Sequence, residues 1–321
     1  MAGLLTVAPL LGLIAMVMSL SHLLPLAVSL TLDDGEAANF AFSMAVNVAV
    51  GYLLWISTRR YRRDLKPRDG ILLVVLAWTG GAAFATIPLL GAISGLSFTD
   101  AYFETISGLT TTGATVLSNL DTLAPSINVW RTLLVWLGGM GLIVLAVAIL
   151  PLLGVGGRQI YKAETPGPMK DSKLTPRITE TAKGLWMVYG IVTIACVLAM
   201  KLAGMTWLDA LMHTFSTMGL GGFSSHDASF GHFNSVAIEV VTIAFMLIAG
   251  INFATHFLAL RARSFTPYRR DPEAGWFMLV MGASCVGLAL YLRLMGTYPD
   301  FLTALRYASF NTVSIATTTG F

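Results

Sequence analysis

The chain has 321 residues, 55% hydrophobic and 12% charged, with a mean hydropathy of +0.74 and a formal net charge of +3. Soluble domains carry roughly 25% charged residues, so this composition excludes a soluble globular protein and predicts an all-α polytopic membrane protein. The small positive charge gives no case for a nucleic-acid partner, and the two cysteines, Cys196 and Cys285, read as small buried hydrophobes rather than a disulfide or metal pair.

The first apolar run, Leu4 to Leu30, holds Pro9, His22 and Pro25 and is long enough to cross at ~20 residues per span. It predicts a retained helix kinked at Pro25, because no basic n-region or cleavage site precedes it. An acidic turn (Asp33, Asp34, Glu36) leads into a second span, Phe40 to Ile56, and then a basic group: Arg59, Arg60, Arg62, Arg63, Lys66 and Arg68. These two spans form an N-terminal pair, residues 1–58.

The first pore unit is expected over residues 70–153. A span from Ile71 to Leu90 ends near Pro88. A short helix from Phe98 to Leu109 follows, capped by Thr99 or Asp100 and too short to cross. The polar stretch Thr110 to Thr115 comes next, and a returning span, Asn128 to Leu153, has Gly138, Gly139 and Gly141 for close helix approach. Residues 154–183 are a polar linker with Arg158, Lys162, Lys170, Lys173, Arg177 and Lys183. The second unit, 184–262, repeats the order: span Leu185 to Ala203, short helix Trp207 to Thr217, loop Met218 to Phe223, span Val236 to Leu260. Arg261, Arg263, Arg269 and Arg270 precede a third unit, 273–321, with span Ala274 to Met295, short helix from Pro299 or Asp300 to Ile315, and loop Ala316 to Phe321.

A polar, glycine-bearing loop at membrane depth is tolerated only where it is buried in protein or lines a watery path. Here the loop recurs with its approach helix. Ala101, Thr105, Ser107 and Gly113 match Ala210, Thr214, Ser216 and Gly222, and again Ala308, Thr312, Ser314 and Gly320, at identical offsets and without gaps. Glycine admits the positive φ that turns a carbonyl toward an axis, rings of such oxygens replace a cation's hydration shell, and the C-terminal pole of each short helix favours a cation. All but four of the 20 lysine and arginine residues fall in the three basic groups. With the spans counted as above, all three groups lie on one side. The positive-inside rule makes that side cytoplasmic and turns the loops outward.

Three span–short helix–loop–span units behind an extra helix pair resemble the Trk/Ktr/HKT superfamily of potassium transporters, and within it the bacterial TrkH type. The resemblance rests on Ser107 through Thr115, Ser216 through Phe223 and Ser314 through Phe321. It implies a potassium-channel-like fold and potassium uptake across the bacterial inner membrane, with backbone carbonyls of Thr111, Thr112 and Gly113, of Leu220, Gly221 and Gly222, and of Thr318, Thr319 and Gly320 as potassium ligands. It further implies a homodimer and gating by a cytoplasmic nucleotide-binding regulatory subunit of the TrkA/KtrA kind. No catalytic residues and no covalently bound cofactor are implied; potassium is the substrate. The basic segments are candidate docking surfaces for that subunit, and contacts with anionic lipid headgroups explain them equally well. The third unit's outer span and the fourth unit have no counterpart, so the chain is expected to be a fragment.

Glu104, His213 and Asn311 stand at equivalent places on the short helices and are assigned to hydrogen-bonded packing in preference to a vestibule lining. His22, His226, His232 and His256 show no metal-ligand spacing and are assigned structural roles. Lys201 and Arg293 are expected to snorkel, and Arg131 to meet headgroups. A sodium- or proton-coupled secondary transporter with broken helices is the alternative function. An intramembrane enzyme lacks any nucleophile–base or paired-acid constellation.

Overall fold

The computed structural model describes residues 2–61, 67–141 and 178–321, and among them every regular element is helical. The described part runs α1 (Ala2–Ser19), α2 (Leu23–Leu32), α3 (Ala37–Thr58), α4 (Pro67–Ala92), α5 (Phe98–Leu109), α6 (Pro125–Gly139), α7 (Ile178–Leu202), α8 (Trp207–Gly219), α9 (Val236–Gly250), α10 (Phe253–Ala262), α11 (Thr266–Arg270), α12 (Pro272–Leu294) and α13 (Phe301–Ala316). Among the described residues five segments are long and apolar enough to cross a bilayer: Leu4–Leu32, Ala37–Tyr61, Arg68–Ala92, Ala182–Leu202 and Pro272–Leu294. The linker through Arg177, the part of the returning span beyond Gly141, and Arg62, Arg63 and Lys66 lie outside the described residues.

The first span runs as one segment from Leu4 to Leu32, and its only irregularity among the described residues is a tight turn, Leu20–His22, one turn ahead of Pro25. Proline removes the N–H that would bond the carbonyl four residues back and crowds that carbonyl, so the irregularity precedes it. Pro88, by contrast, is absorbed inside α4, which continues to Ala92. The Pro88 carbonyl accepts a hydrogen bond from Asn39 Nδ2 at 2.8 Å, which ties α4 to α3.

The second unit's outer span is not one helix. α9 stops at Gly250, Ile251 is extended, and Asn252 caps α10 by accepting from the Ala254 N–H, so the two helices meet at 92°. An Asn cap starts a new helix direction because its side chain satisfies an amide that the preceding helix no longer can. α6 is likewise 15 residues long, ends on Gly139, and is followed by Gly141 at φ +72°.

The elements pack as the repeat demands. α5 lies between α4 and α6, α8 between α6 and α7, and α13 between α9 and α12, so each short helix is wedged between two neighbours. The repeated alanines Ala101, Ala210 and Ala308 are buried at these crossings. The N-terminal pair closes on glycine: a β-carbon on Gly12 would lie 2.6 Å from the Gly51 carbonyl oxygen, and one on Gly51 would lie 2.7 Å from that of Gly12. Small residues let membrane helices approach to backbone contact.

Gly12→Ala should therefore force α1 and α3 apart and cost about 1–3 kcal/mol, read as a lower melting temperature of the detergent-solubilised protein. Gly190→Ala, where no described atom lies within 4 Å of the added carbon, should bring no loss.

Candidate functional site

Each short helix begins on a side-chain cap. Ser97 accepts from the Asp100 N–H and Thr206 from the Asp209 N–H, and each hydroxyl also donates to that aspartate's carboxylate. Asp300 accepts from Thr303 N–H. The first cap is thus Ser97, not Thr99 or Asp100: its extended backbone precedes the helix, whereas Asp100 already sits in the first turn. α8 and α13 run one or two residues longer than their spacing predicts, to Gly219 and Ala316.

Beyond each helix the three loops adopt one conformation. Positive φ occurs at Thr111 (+56°) and Gly113 (+75°), at Leu220 (+53°) and Gly222 (+66°), and at Thr318 (+64°) and Gly320 (+79°). The repeated serine anchors the turn. The N–H groups of Thr112 (2.8 Å) and Gly113 (3.5 Å) converge on the Ser107 carbonyl, that of Gly221 (3.0 Å) on Ser216, and those of Thr319 (2.8 Å) and Gly320 (3.2 Å) on Ser314. The Phe321 N–H adds a bond to Ser314 Oγ at 2.9 Å.

Carbonyl direction follows from this bonding. In a trans peptide the C=O points opposite to the N–H of the next residue, and the described chain has no cis bond. Amides drawn back onto one serine therefore send the carbonyls of Thr111, Thr112, Leu220, Thr318, Thr319 and Gly320 the other way, out of the loop. Successive residues of alternating hand give this one-sided arrangement; a strand would alternate its carbonyls.

The loops also meet one another. A β-carbon on Gly113 would lie 1.8 Å from the Gly221 carbonyl oxygen, and one on Gly222 would lie 2.1 Å from that of Thr319. The first loop touches the second, and the second touches the third, main chain against main chain. Of the nine residues expected to act together, all nine belong to these three apposed strips.

α6 holds the first two strips in place. A β-carbon on Gly138 would lie 2.0 Å from the Leu109 carbonyl oxygen, and one on Gly139 would lie 2.6 Å from Gly219 Cα, so α6 touches the C-terminal ends of both α5 and α8. From the same helix, Arg131 reaches inward. It is 1% exposed and pairs with the equally buried Glu104, Nη2 at 2.7 Å and Nε at 2.8 Å from Oε1. Its remaining donors go to Asn128 Oδ1 (3.0 Å), the Ser224 carbonyl (3.1 Å) and Thr115 Oγ1 (3.3 Å), and the guanidinium lies 4.6 Å over the Phe223 ring. This corrects the headgroup contact expected for Arg131. A guanidinium this far from water persists because every donor direction has an acceptor.

Glu104 and His213 are buried packing residues with matching contacts. Glu104 accepts from Thr115 Oγ1, two residues past Gly113, and His213 Nε2 lies 3.0 Å from Ser224 Oγ, two residues past Gly222. Asn311 is exposed and donates to the Tyr307 carbonyl. A second ion pair joins the second and third units: Arg306 of α13 grips Glu239 of α9 through two bonds of 2.7 and 2.6 Å. Lys201, at the end of α7, donates to the Met205 carbonyl in the turn that follows the helix. His22 is buried against the Trp130 ring, 4.4 Å between centroids.

Outside the loops, Asp34 docks the acidic turn on α6 by accepting the Ser126 N–H at 2.9 Å. Burial alone would raise its carboxyl, but hydrogen bonds from Ser29 and Ser126 outweigh it and hold the group below the usual carboxylate range. That contact is present at neutral pH and is lost as pH falls through the lowered value.

The family profile described as "TrkH: Cation transport protein" matches residues 36–318. The chain belongs to the TrkH family. It is 49% identical over 312 residues to the Trk system potassium uptake protein TrkH of Halomonas elongata, which covers 97% of this chain and 64% of the relative. It is 46% identical to the Escherichia coli K12 protein of the same name, with the same coverage. Its fold matches the crystal structure of the potassium transporter TrkH from Vibrio parahaemolyticus with a TM-score of 0.86 at 42% identity, over 99% of this chain and 65% of that one. The chain thus spans just under two thirds of the length of these relatives.

Arg131→Met strands a buried carboxylate and should cost about 3–5 kcal/mol, seen as loss of monodisperse folded protein on heating. Adding Glu104→Gln should recover part of that loss. Equal stability of Arg131→Met and the parent would show that the pair carries no structural role.

Proposed function

We propose that the intact protein takes up potassium across the bacterial inner membrane, and that carbonyls of Thr111, Thr112, Gly113, Leu220, Gly221, Gly222, Thr318, Thr319 and Gly320 line the ion's path. The observation that carries this reading is the one-sided turning of the loop carbonyls, with amides gathered on Ser107, Ser216 and Ser314. Oxygens held in this way replace hydration without the flexibility of a side chain. Further support comes from membership of a cation transport family and from relatives named as potassium uptake proteins. The C-terminal ends of α5, α8 and α13 stop at the loops, where their dipoles favour a cation.

In this reading the loops face outward and the basic segments face the cytoplasm. Arg59, Arg60, Arg261, Arg263, Arg269 and Arg270 are exposed, as a docking surface for a nucleotide-binding regulatory subunit of the TrkA/KtrA kind requires. A homodimer completes the assembly.

The test uses the full-length protein in proteoliposomes, with rubidium-86 uptake measured against sodium competition. Gly222→Ala places a carbon against the Thr319 oxygen and Gly113→Ser places one against the Gly221 oxygen. Each should lower potassium-over-sodium preference by about tenfold, ~1.4 kcal/mol. Preference equal to the parent in both variants would contradict the assignment.

A further inference from the structure

His226 and His232 are separated in sequence by a tight turn, Ser229–His232, that folds the second ring back onto the first. The two imidazoles stack at 3.6 Å with 4° between their planes. Facing them from the segment after the first loop is Asp121, whose Oδ1 lies 2.5 Å from His226 Nδ1 and 3.9 Å from His232 Nδ1. One ligand atom from each of the three side chains falls within 4.8 Å of the others.

The surroundings of the cluster are built rather than incidental. Asp121 Oδ2 accepts the Asp227 N–H at 3.1 Å, and Asp227 Oδ2 accepts the Leu120 N–H at 3.1 Å, so the two segments clasp each other and aim Oδ1 at the rings. On the far side of His226, Nε2 lies 3.1 Å from Asp209 Oδ1, which Ser225 Oγ steadies at 3.2 Å. Carboxylates thus face both ring nitrogens of His226; with an ion in place of the Nδ1 proton, Asp209 on Nε2 would hold the ring as carboxylates hold metal-bound histidines.

We infer that Asp121, His226 and His232 form a binding site for a zinc-class dication. Zinc takes imidazole nitrogen and carboxylate oxygen at about 2.0–2.2 Å, so tetrahedral ligand atoms lie about 3.3 Å apart. The observed 2.5 and 3.9 Å bracket that separation; parallel stacked rings cannot both aim an in-plane lone pair at one ion, so ligation requires the half-exposed His232 ring to turn out of the stack. Two imidazoles and one carboxylate select zinc over magnesium, which prefers an all-oxygen shell. Water completes the coordination. The bound ion pins the segment that follows the first loop to the segment that follows the second.

The experiment is zinc titration of purified, tag-free full-length protein, followed by calorimetry and by melting temperature, with magnesium as the comparison ion. The parent should bind one zinc ion per chain at this site and melt higher with zinc than without it, and magnesium should give neither response. His232→Ala should weaken zinc binding at least about tenfold and abolish the shift. Asp121→Asn should do the same while keeping the amide contact to Asp227, which separates ligation from loop packing. Each variant's metal-free melting temperature reports whether it has folded. Zinc binding by both variants at parental affinity would overturn the site, as would a parent that binds no zinc and leaves the cluster a hydrogen-bonded staple. Neither readout depends on ion flux, so failure here leaves the proposed function untouched.

Discussion

Close approach of main chain to main chain is the constraint on which the rest of the structure depends. Gly113 stands against Gly221, Gly222 against Thr319, Gly138 against Leu109 and Gly139 against Gly219, each at a separation that a single added carbon would destroy. Where backbones touch, the exposed chemistry is that of carbonyl oxygen. The loops therefore present a surface whose character is independent of side-chain identity, which is why Leu220 can hold the place that Thr111 and Thr318 hold in their own loops. The repeated serine explains how such a surface persists. One carbonyl gathers the amides, leaving the carbonyl oxygens on the opposite side of each loop unopposed.

Such a geometry needs a frame, and two buried or half-buried ion pairs supply much of it. Arg131 ties α6 to α5 and to the segments following both of the first two loops, while Arg306 and Glu239 tie the second unit to the third. Removing two charges from water is expensive, and pairing them often does no better than an apolar substitute. Their value here lies in register. Arg131 reaches from the first unit to the Ser224 carbonyl of the second, and Arg306–Glu239 joins the second unit to the third, so a slip of one loop past the next leaves a cation short of a partner.

Much of this was legible in the sequence because the repeat is written in small, chemically specific letters. Ala101, Thr105, Ser107 and Gly113 recur at fixed offsets. Physically, the alanine is buried at a helix crossing and the threonine is buried or half-buried beside it, Thr105 and Thr214 bonding to Ala82 and Met200 of the neighbouring helix, while the serine anchors the amides and the glycine makes the left-handed turn. What stayed hidden depends on partners far away in the chain. Nothing local to Arg131 says that Glu104 waits inside, and position at the start of a span suggests headgroups instead. The left-handed backbone at Thr111, Leu220 and Thr318 was missed because only glycine advertises that conformation in its composition. The corner at Ile251 was missed because hydropathy stays high through α9 and α10; the Gly250 and Asn252 pair was the available signal. His226, His232 and Asp121 share no motif because the clasp between Asp121 and Asp227 assembles them in space.

The central claim is that three backbone strips share one cation path. Anomalous scattering from rubidium or thallium bound to crystals of the full-length protein tests it most directly. The account predicts ion peaks on an axis bordered by the carbonyls of Thr111 to Gly113, Leu220 to Gly222 and Thr318 to Gly320. Peaks elsewhere in the membrane region, with none beside these nine residues, would contradict it.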